Sequence, residues 1–318
     1  MNQKLSFLSA CLAATALLGA CKKNTEPGGT PEPAGGYTTL EALYQTQTSQ
    51  PLSFNINSER ETRLQGAFGV QYEIPDSAFM LLDSTPVYGT VTIVLKEYVS
   101  KKDMIFHRIL PRTDTSVLES YGMVHIQASK NGAPLMLKSG EKIAAYLPQH
   151  VNVAIDAEMK LFTGVASAAG DFSSVTWKEA PEEVGDALPL LTHVVLYSSK
   201  LGYLQAANYQ QGNKHKVSLN LSGFPDFDQS AMLRTYVLYD NLKTTYGMGQ
   251  TPFGYRSGAT VVDSFISNQP LHLVSFGIKD GFFYGGIKEA TVSSDTTLSL
   301  ELTKMEAVDL FSQVAALK

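Results

Sequence analysis

Residues 118–132 read LESYGMVHIQASKNG, from Leu118 to Gly132. Val124, Ile126 and Ala128 alternate with His125 and Gln127, the period of a β-strand with one face buried. Asn131-Gly132 closes the run with the dipeptide favoured in type I′ hairpin turns, where both central residues need positive φ. The same period extends outward on both sides. Upstream, Val91, Ile93 and Leu95 alternate with Thr92, Val94 and Lys96. Downstream come Leu135 and Leu137, then Ile143, Ala145 and Leu147, separated by the weaker turn signal Ser139-Gly140. Strand patterns resume at 194–197, at Val217, Leu219 and Leu221, at 236–239, at 271–278 and at Leu298, Leu300 and Leu302, with Asp280-Gly281 as another hairpin turn. There is no fixed-period repeat and no strand–helix alternation of the kind a parallel sheet needs. The expected fold is all-β, two antiparallel β-sandwich domains.

Helical patterns are confined to the ends. Residues 39–44 make a short helical stretch. Near the C-terminus, Thr303 and Glu306 read as a capping box, followed by Val308, Phe311, Val314 and Ala315 on one helical face expected to pack on the second domain. Residues 179–189 (EAPEEVGDALP) are acidic, hold two prolines and lack periodicity, so the domain boundary is expected there, giving domains 37–184 and 185–318.

The chain has 318 residues, 44% hydrophobic and 17% charged, with 25 Lys+Arg against 30 Asp+Glu and a net charge of −5. That apolar content excludes a wholly disordered chain. The acidic balance argues against nucleic-acid binding, which leaves a basic patch or stripe. Lys4 is the only charge in the first twenty residues, and the apolar run from Leu5 to Leu18 is too short to cross a bilayer as a helix. A basic start, a short apolar segment and small residues before a cut describe a secretory signal peptide over 1–20. The Leu18-Gly19-Ala20-Cys21 ending resembles the lipobox of bacterial lipoproteins. That resemblance implies lipidation of Cys21 and cleavage just before it. The mature chain would then have 318 − 20 = 298 residues.

The only other cysteine, Cys11, lies inside the leader, so the body is expected to hold no disulfide, cysteine zinc site or cysteine nucleophile. Residues 22–36 (KKNTEPGGTPEPAGG) read as a disordered tether. Lys22, and not an aspartate, follows the cysteine, so the enterobacterial inner-membrane retention signal is missing. The expectation is an outer-membrane lipoprotein, on the periplasmic or the cell-surface face, held to the membrane by its N-terminal lipid.

Residues 62–79 (TRLQGAFGVQYEIPDSAF) resemble the opening of the ankyrin/netrin-receptor/zona-occludens β-sandwich domain, the ZU type, in which a strand with two glycines leads to Ile-Pro and a small–aromatic pair. GTVTIVLKEY from Gly89, DMI from Asp103, LESYGMVHIQASKNG from Leu118, LGYLQAANY from Leu201 and DGFFY from Asp280 resemble a class of Bacteroidetes lipoproteins. In that class such a domain is followed by a second β domain. The resemblance covers most of the mature chain and implies a fold, with no ligand or activity attached. Some relatives with an adjoining domain cut themselves at His-Phe-Ser, a triplet that does not occur here.

Motifs for catalysis are missing. The six histidines, His107, His125, His150, His193, His215 and His272, form no close metal-ligand spacing, so no metal and no cofactor is expected. His125 and His272 each lie within a strand, where an ordinary sheet histidine is the stronger reading. Ser139-Gly140-Glu141-Lys142 matches Ser-x-x-Lys, but strands flank it and its companion elements are missing, which makes it a turn. Asp226 and Asp228 lack the further acidic positions of an EF-hand. No two of the 30 acids are marked as a facing glycosidase pair. Tyr246, Phe253, Tyr255 and Arg256, in the Gly-rich stretch YGMGQTPFGYR, are the candidate ligand-binding residues, since aromatic faces beside polar groups stack on sugars or peptides.

The expected function is therefore a non-catalytic envelope protein, a binding or scaffold module for a protein partner or envelope polymer. The alternative is a glycan-binding, less readily glycan-hydrolysing, surface lipoprotein that uses the aromatic stretch. Mass spectrometry of the mature N-terminus tests the leader reading. The expected chain starts at Cys21 and carries diacylglyceryl on its sulfur, and Cys21→Ser releases the protein from the membrane fraction.

Overall fold

The computed structural model describes residues 36–149, 155–167, 174–225, 232–240, 245–247 and 260–317. The N-terminal leader and tether readings, Cys21 included, lie outside them except at Gly36, whose N–H donates to the Gly281 carbonyl at 3.2 Å. Among the described residues, strands make up 54% and helices 10%, which is the expected all-β class.

In chain order, helix α1 (Leu40–Gln47) leads into β1 (Leu52–Asn57), β2 (Thr62–Gln65), β3 (Gln71–Ile74), β4 (Phe79–Leu81) and β5 (Thr90–Tyr98). Helix α2 (Lys101–Phe106) precedes β6 (Leu118–Lys130), β7 (Ala133–Leu137), β8 (Ile143–Pro148), β9 (Lys160–Ala166) and β10 (Val175–Glu179). Next come β11 (Gly185–Pro189), β12 (His193–Ser198), β13 (Gly202–Tyr209), β14 (Lys214–Ser222), β15 (Met232–Tyr239) and β16 (Thr245–Gly247). The chain closes with β17 (Thr260–Ile266), β18 (Pro270–Lys279), β19 (Phe282–Thr291), β20 (Thr296–Glu301), β21 (Thr303–Lys304) and helix α3 (Ala307–Ala316).

The first sandwich packs a sheet of order β1-β5-β6-β13-β9-β10, joined by β4 and β7, on a sheet of order β11-β12-β8-β3-β2. Its core takes the alternating residues named above: Val91, Ile93, Leu95, Val124, Ile126, Ile143, Ala145 and Leu147 are all buried. Asn131 and Gly132 adopt φ of 51° and 81°, as the hairpin turn demands. Ser139-Gly140 connects β7 to β8, which lie in different sheets, so it is a crossing turn and not a hairpin. The second sandwich packs β17-β14-β20 on β16-β15-β18-β19-β21 around Val217, Leu219, Leu221, Val237, Leu273 and Leu300. One pairing departs from the antiparallel expectation: β14 and β20 run parallel.

Residues 33–318 form one compact unit. The strands from 185 to 209, expected in a second domain, pair with β6, β8 and β9 of the first sandwich. The acidic segment is thus not a linker. Pro181 accepts a turn hydrogen bond from Val184 N–H (2.9 Å), and Pro189 ends the edge strand β11, a place where a missing N–H costs no ladder bond.

A third apolar layer lies between the sandwiches. The outer face of the first large sheet (Met123, Phe162, Trp177) meets helices α1 to α3 and the outer face of β15 and β18 (Tyr236, Phe276). Helix α3 starts after Glu306, which makes no side-chain cap bond, because Thr303 is committed to β21 opposite Gly285. Its buried face is Ala307, Leu310, Phe311 and Val314, whereas Val308 is 63% exposed. Phe106 of α2 meets Phe311 edge-on at 4.4 Å.

A chain truncated after Val184 leaves β6, β8 and β9 each without one of its neighbouring strands. Circular dichroism is expected to show no cooperative unfolding transition for it, where the intact chain shows one.

Candidate functional site

A cross-strand row crosses the outer face of the first large sheet. The register places Lys96 of β5 opposite His125 of β6, His125 opposite Tyr203 of β13, Tyr203 opposite Gly164 of β9, and Gly164 opposite Trp177 of β10. The His125 and Tyr203 rings stack with centroids 3.9 Å apart and planes 10° from parallel. Trp177 meets Tyr203 edge-on at 6.5 Å, and its indole N–H donates to the Leu110 carbonyl at 3.0 Å. Gly164 holds the gap between them, since a Cβ there would lie 2.5 Å from Val175 and 2.6 Å from Tyr203. Tyr98 adds a second ring against Tyr203 and packs edge-on against His107 at 5.0 Å.

On one side of this row the sheet is covered, with Met123, Gln205 and Phe162 fully buried beneath the helical layer. On the other side it is open. There a depression of about 370 Å³ is lined by Val94, His125, Gln127, Ser129, Pro134 and Leu201, among others. Among the described residues lining it, there is no Asp, Glu, Lys or Arg. Burial, with a smaller contribution from Lys96, pushes the His125 imidazole down to about 4, so the ring is neutral at pH 7. The lining itself offers amide and hydroxyl groups beside a stacked aromatic pair and no ionised group, with Lys96 outside it across from His125, which suits an uncharged ligand.

Two other polar clusters serve the fold. Lys101 is buried and donates to the Tyr239 carbonyl, and burial, partly offset by Asp240, pushes it down to about 8. Asp240 in turn meets His272 Nδ1 at 2.7 Å. Together they fasten α2 to the end of β15 and β18. A smaller depression of about 290 Å³ on the β2–β3 hairpin contains the Arg63–Glu73 ion pair at 2.9 Å, so its charges are already matched. Among the described residues, no group of three His, Cys, Asp or Glu converges as a metal site, and no helix is long and apolar enough to cross a membrane.

Of the residues singled out in the sequence, Tyr246 lies in β16, paired with Val237. Phe253, Tyr255 and Arg256 lie outside the described residues, as do His150, Asp226 and Asp228. The sequence pattern makes His125 an ordinary strand histidine; the structure stacks it on Tyr203. Local sequence does not join Lys96, Tyr203 and Trp177 into one row, because cross-strand register sets it. The usable signal was Tyr203 within LGYLQAANY, an aromatic at an outward position of a strand.

No family model matches the chain, and no curated protein matches it. Among solved structures, the chain is similar to a gamma-CGTase from an alkalophilic Bacillus clarkii, at TM-score 0.23 and 10% identity over 77% of this chain and 41% of that one. It thus spans about two fifths of that enzyme's length. It is also similar to a Gram-negative toxin, at TM-score 0.20 and 7% identity over 80% of this chain and 88% of that one. Likeness at this level carries no functional argument.

The depressed His125 sets an acid-side dependence. Between pH 6.5 and 4 the unfolded chain binds a proton there that the folded chain refuses, so stability is full above 6.5 and is lost as pH falls toward 4. The loss is about 1–2 kcal/mol once solvent screening at the open edge is allowed for. Urea titrations at pH 7 and 4.5 are expected to show it in the native protein and to show it reduced in His125→Gln.

Proposed function

We propose that this is a non-catalytic, lipid-anchored protein of the bacterial outer membrane that binds an uncharged envelope polymer on the open face beside His125 and Tyr203. The observation that carries the reading is the depression itself, floored by sheet residues, free of formal charge and bordered by a stacked ring pair. An ionic ligand would lose hydration there and gain no counter-charge from the lining residues. A neutral chain loses little and gains ring contact plus hydrogen bonds from Gln127 and Ser129. The lipobox at Cys21 and the tether after it support the location.

Calorimetric titration of the purified protein with neutral polysaccharides tests this. Binding is expected, and Gln127→Trp, which fills the depression from an exposed position, is expected to weaken it at least tenfold without moving the thermal midpoint. If Phe253→Ala and Tyr255→Ala abolish binding and Gln127→Trp leaves it intact, the ligand sits on the aromatic stretch 246–256. Hydrolysis lost on a single carboxylate or serine substitution would overturn the non-catalytic reading.

A further inference from the structure

Two hairpin turns at one end of the smaller sheet of the first sandwich each present apolar side chains to solvent. On the β11–β12 turn Leu190 is 41% and Leu191 95% exposed, and on the β2–β3 turn Phe68 is 42% exposed. The register places the two turns at the same end. His193, at the start of β12, pairs with Pro148 at the end of β8, and Gln71, at the start of β3, pairs with Tyr146. In the order β11-β12-β8-β3-β2 the turn centres are three strand spacings apart, about 14 Å.

Both turns are held firmly. Leu190 N–H donates to His193 O at 2.8 Å, and Gln149 N–H donates to Thr192 O at 2.9 Å. The β2–β3 turn is fastened by the buried carboxylate of Glu97, which accepts Phe68 N–H at 2.6 Å and the Tyr72 hydroxyl at 3.0 Å. Gly66 sits so close to that carboxylate that no Cβ fits. A buried acid is costly unless hydrogen-bonded, so its use to fix a turn whose tip shows a phenylalanine marks Phe68 as a placed residue, not a stray one.

We propose that Phe68, Leu190 and Leu191 insert into the interfacial region of the bilayer that anchors the chain. This rests on the lipid-anchor reading of Cys21. The 15 residues from Lys22 to Gly36 span at most about 50 Å, comparable with the diameter of a folded body of about 280 residues, so this end of the sandwich is within reach of the membrane. Two separate projecting tips suit a fluid apolar phase, which needs no complementary pocket, and insertion at two points sets the body's orientation. The open face beside His125 then keeps a fixed attitude to the bilayer.

The test uses the lipidated full-length protein in phosphatidylcholine liposomes, with nitroxide attached through Phe68→Cys, Leu191→Cys or, as control, Val165→Cys, a position 50% exposed on β9. The mature body has no cysteine besides Cys21, so labelling is site-specific. Labels at 68 and 191 are expected to gain collisions with oxygen and lose collisions with a water-soluble nickel chelate when liposomes are added, at least threefold relative to the label at 165. Protein that floats with liposomes while all three labels stay equally water-exposed overturns the insertion and leaves the anchor standing. Cys21→Ser protein, which carries no lipid and no competing thiol in the mature body, is expected to shift its labels at 68 and 191 less; an equal shift would show that the insertion does not depend on the anchor. Protein that neither floats nor changes its label environment overturns both.

Discussion

Successive side chains of a β-strand point to opposite faces, and β6, thirteen residues long, spends both faces. Val124, Ile126 and Ala128 fill the core of the first sandwich. On the other face, Leu118 and Met123 belong to the layer shared with the helices and the second sandwich. His125 and Gln127 continue that same face past the edge of the cover and line the open depression. A bulge makes this possible. Between Ala206 and Ala207 the register of β13 against β6 slips by one, so Tyr121 joins the inner core while Leu118 faces outward. Were the ladder regular, Leu118 would enter the inner core and Tyr121 the helical layer.

That shared strand explains why the two sandwiches behave as one unit. The central layer contains a dense set of rings, with Phe276 stacked on Tyr236 at 5.6 Å and meeting Phe311 edge-on at 5.5 Å. It also holds the buried Tyr44–Tyr236 hydroxyl pair at 2.9 Å. Fully burying each aromatic contributes about 1.5–3 kcal/mol, so separating the sandwiches would expose more apolar surface than a domain stable by 5–15 kcal/mol can lose. The Lys101–Tyr239 bond and the Asp240–His272 pair fix the angle of α2 against the second sandwich, a role for polar groups that apolar packing alone does not fill.

Much of the fold was legible locally. The alternation at 91–95 and 124–128, the Asn131-Gly132 and Asp280-Gly281 turns, and the short helix capped by Thr39 each depend on a few adjacent residues. What failed was long-range or ambiguous. Residues 179–189 carry the prolines and acids of a linker, but an edge strand tolerates the same composition. Thr303 and Glu306 have capping-box spacing, yet β21 claims the threonine. The periodicity does not reveal helix α2, although Ser100 and Asp103 form a capping box, because six residues give too short a period. Of the candidate site, His125 was visible only as a strand histidine, since its partner Tyr203 is 78 positions away (203 − 125 = 78) and register, not spacing, brings them together.

Strands β6 and β13 place residues in both apolar layers and so serve the two sandwiches as one spine. Native-state hydrogen exchange measures this directly, since amides in a shared spine open only with the whole molecule. The prediction is that β6, β13, β15 and β18 amides exchange with the same free energy, equal to that of global unfolding. Amides of β15 and β18 exchanging through a separate, lower-energy opening, with β6 and β13 still protected, would contradict it.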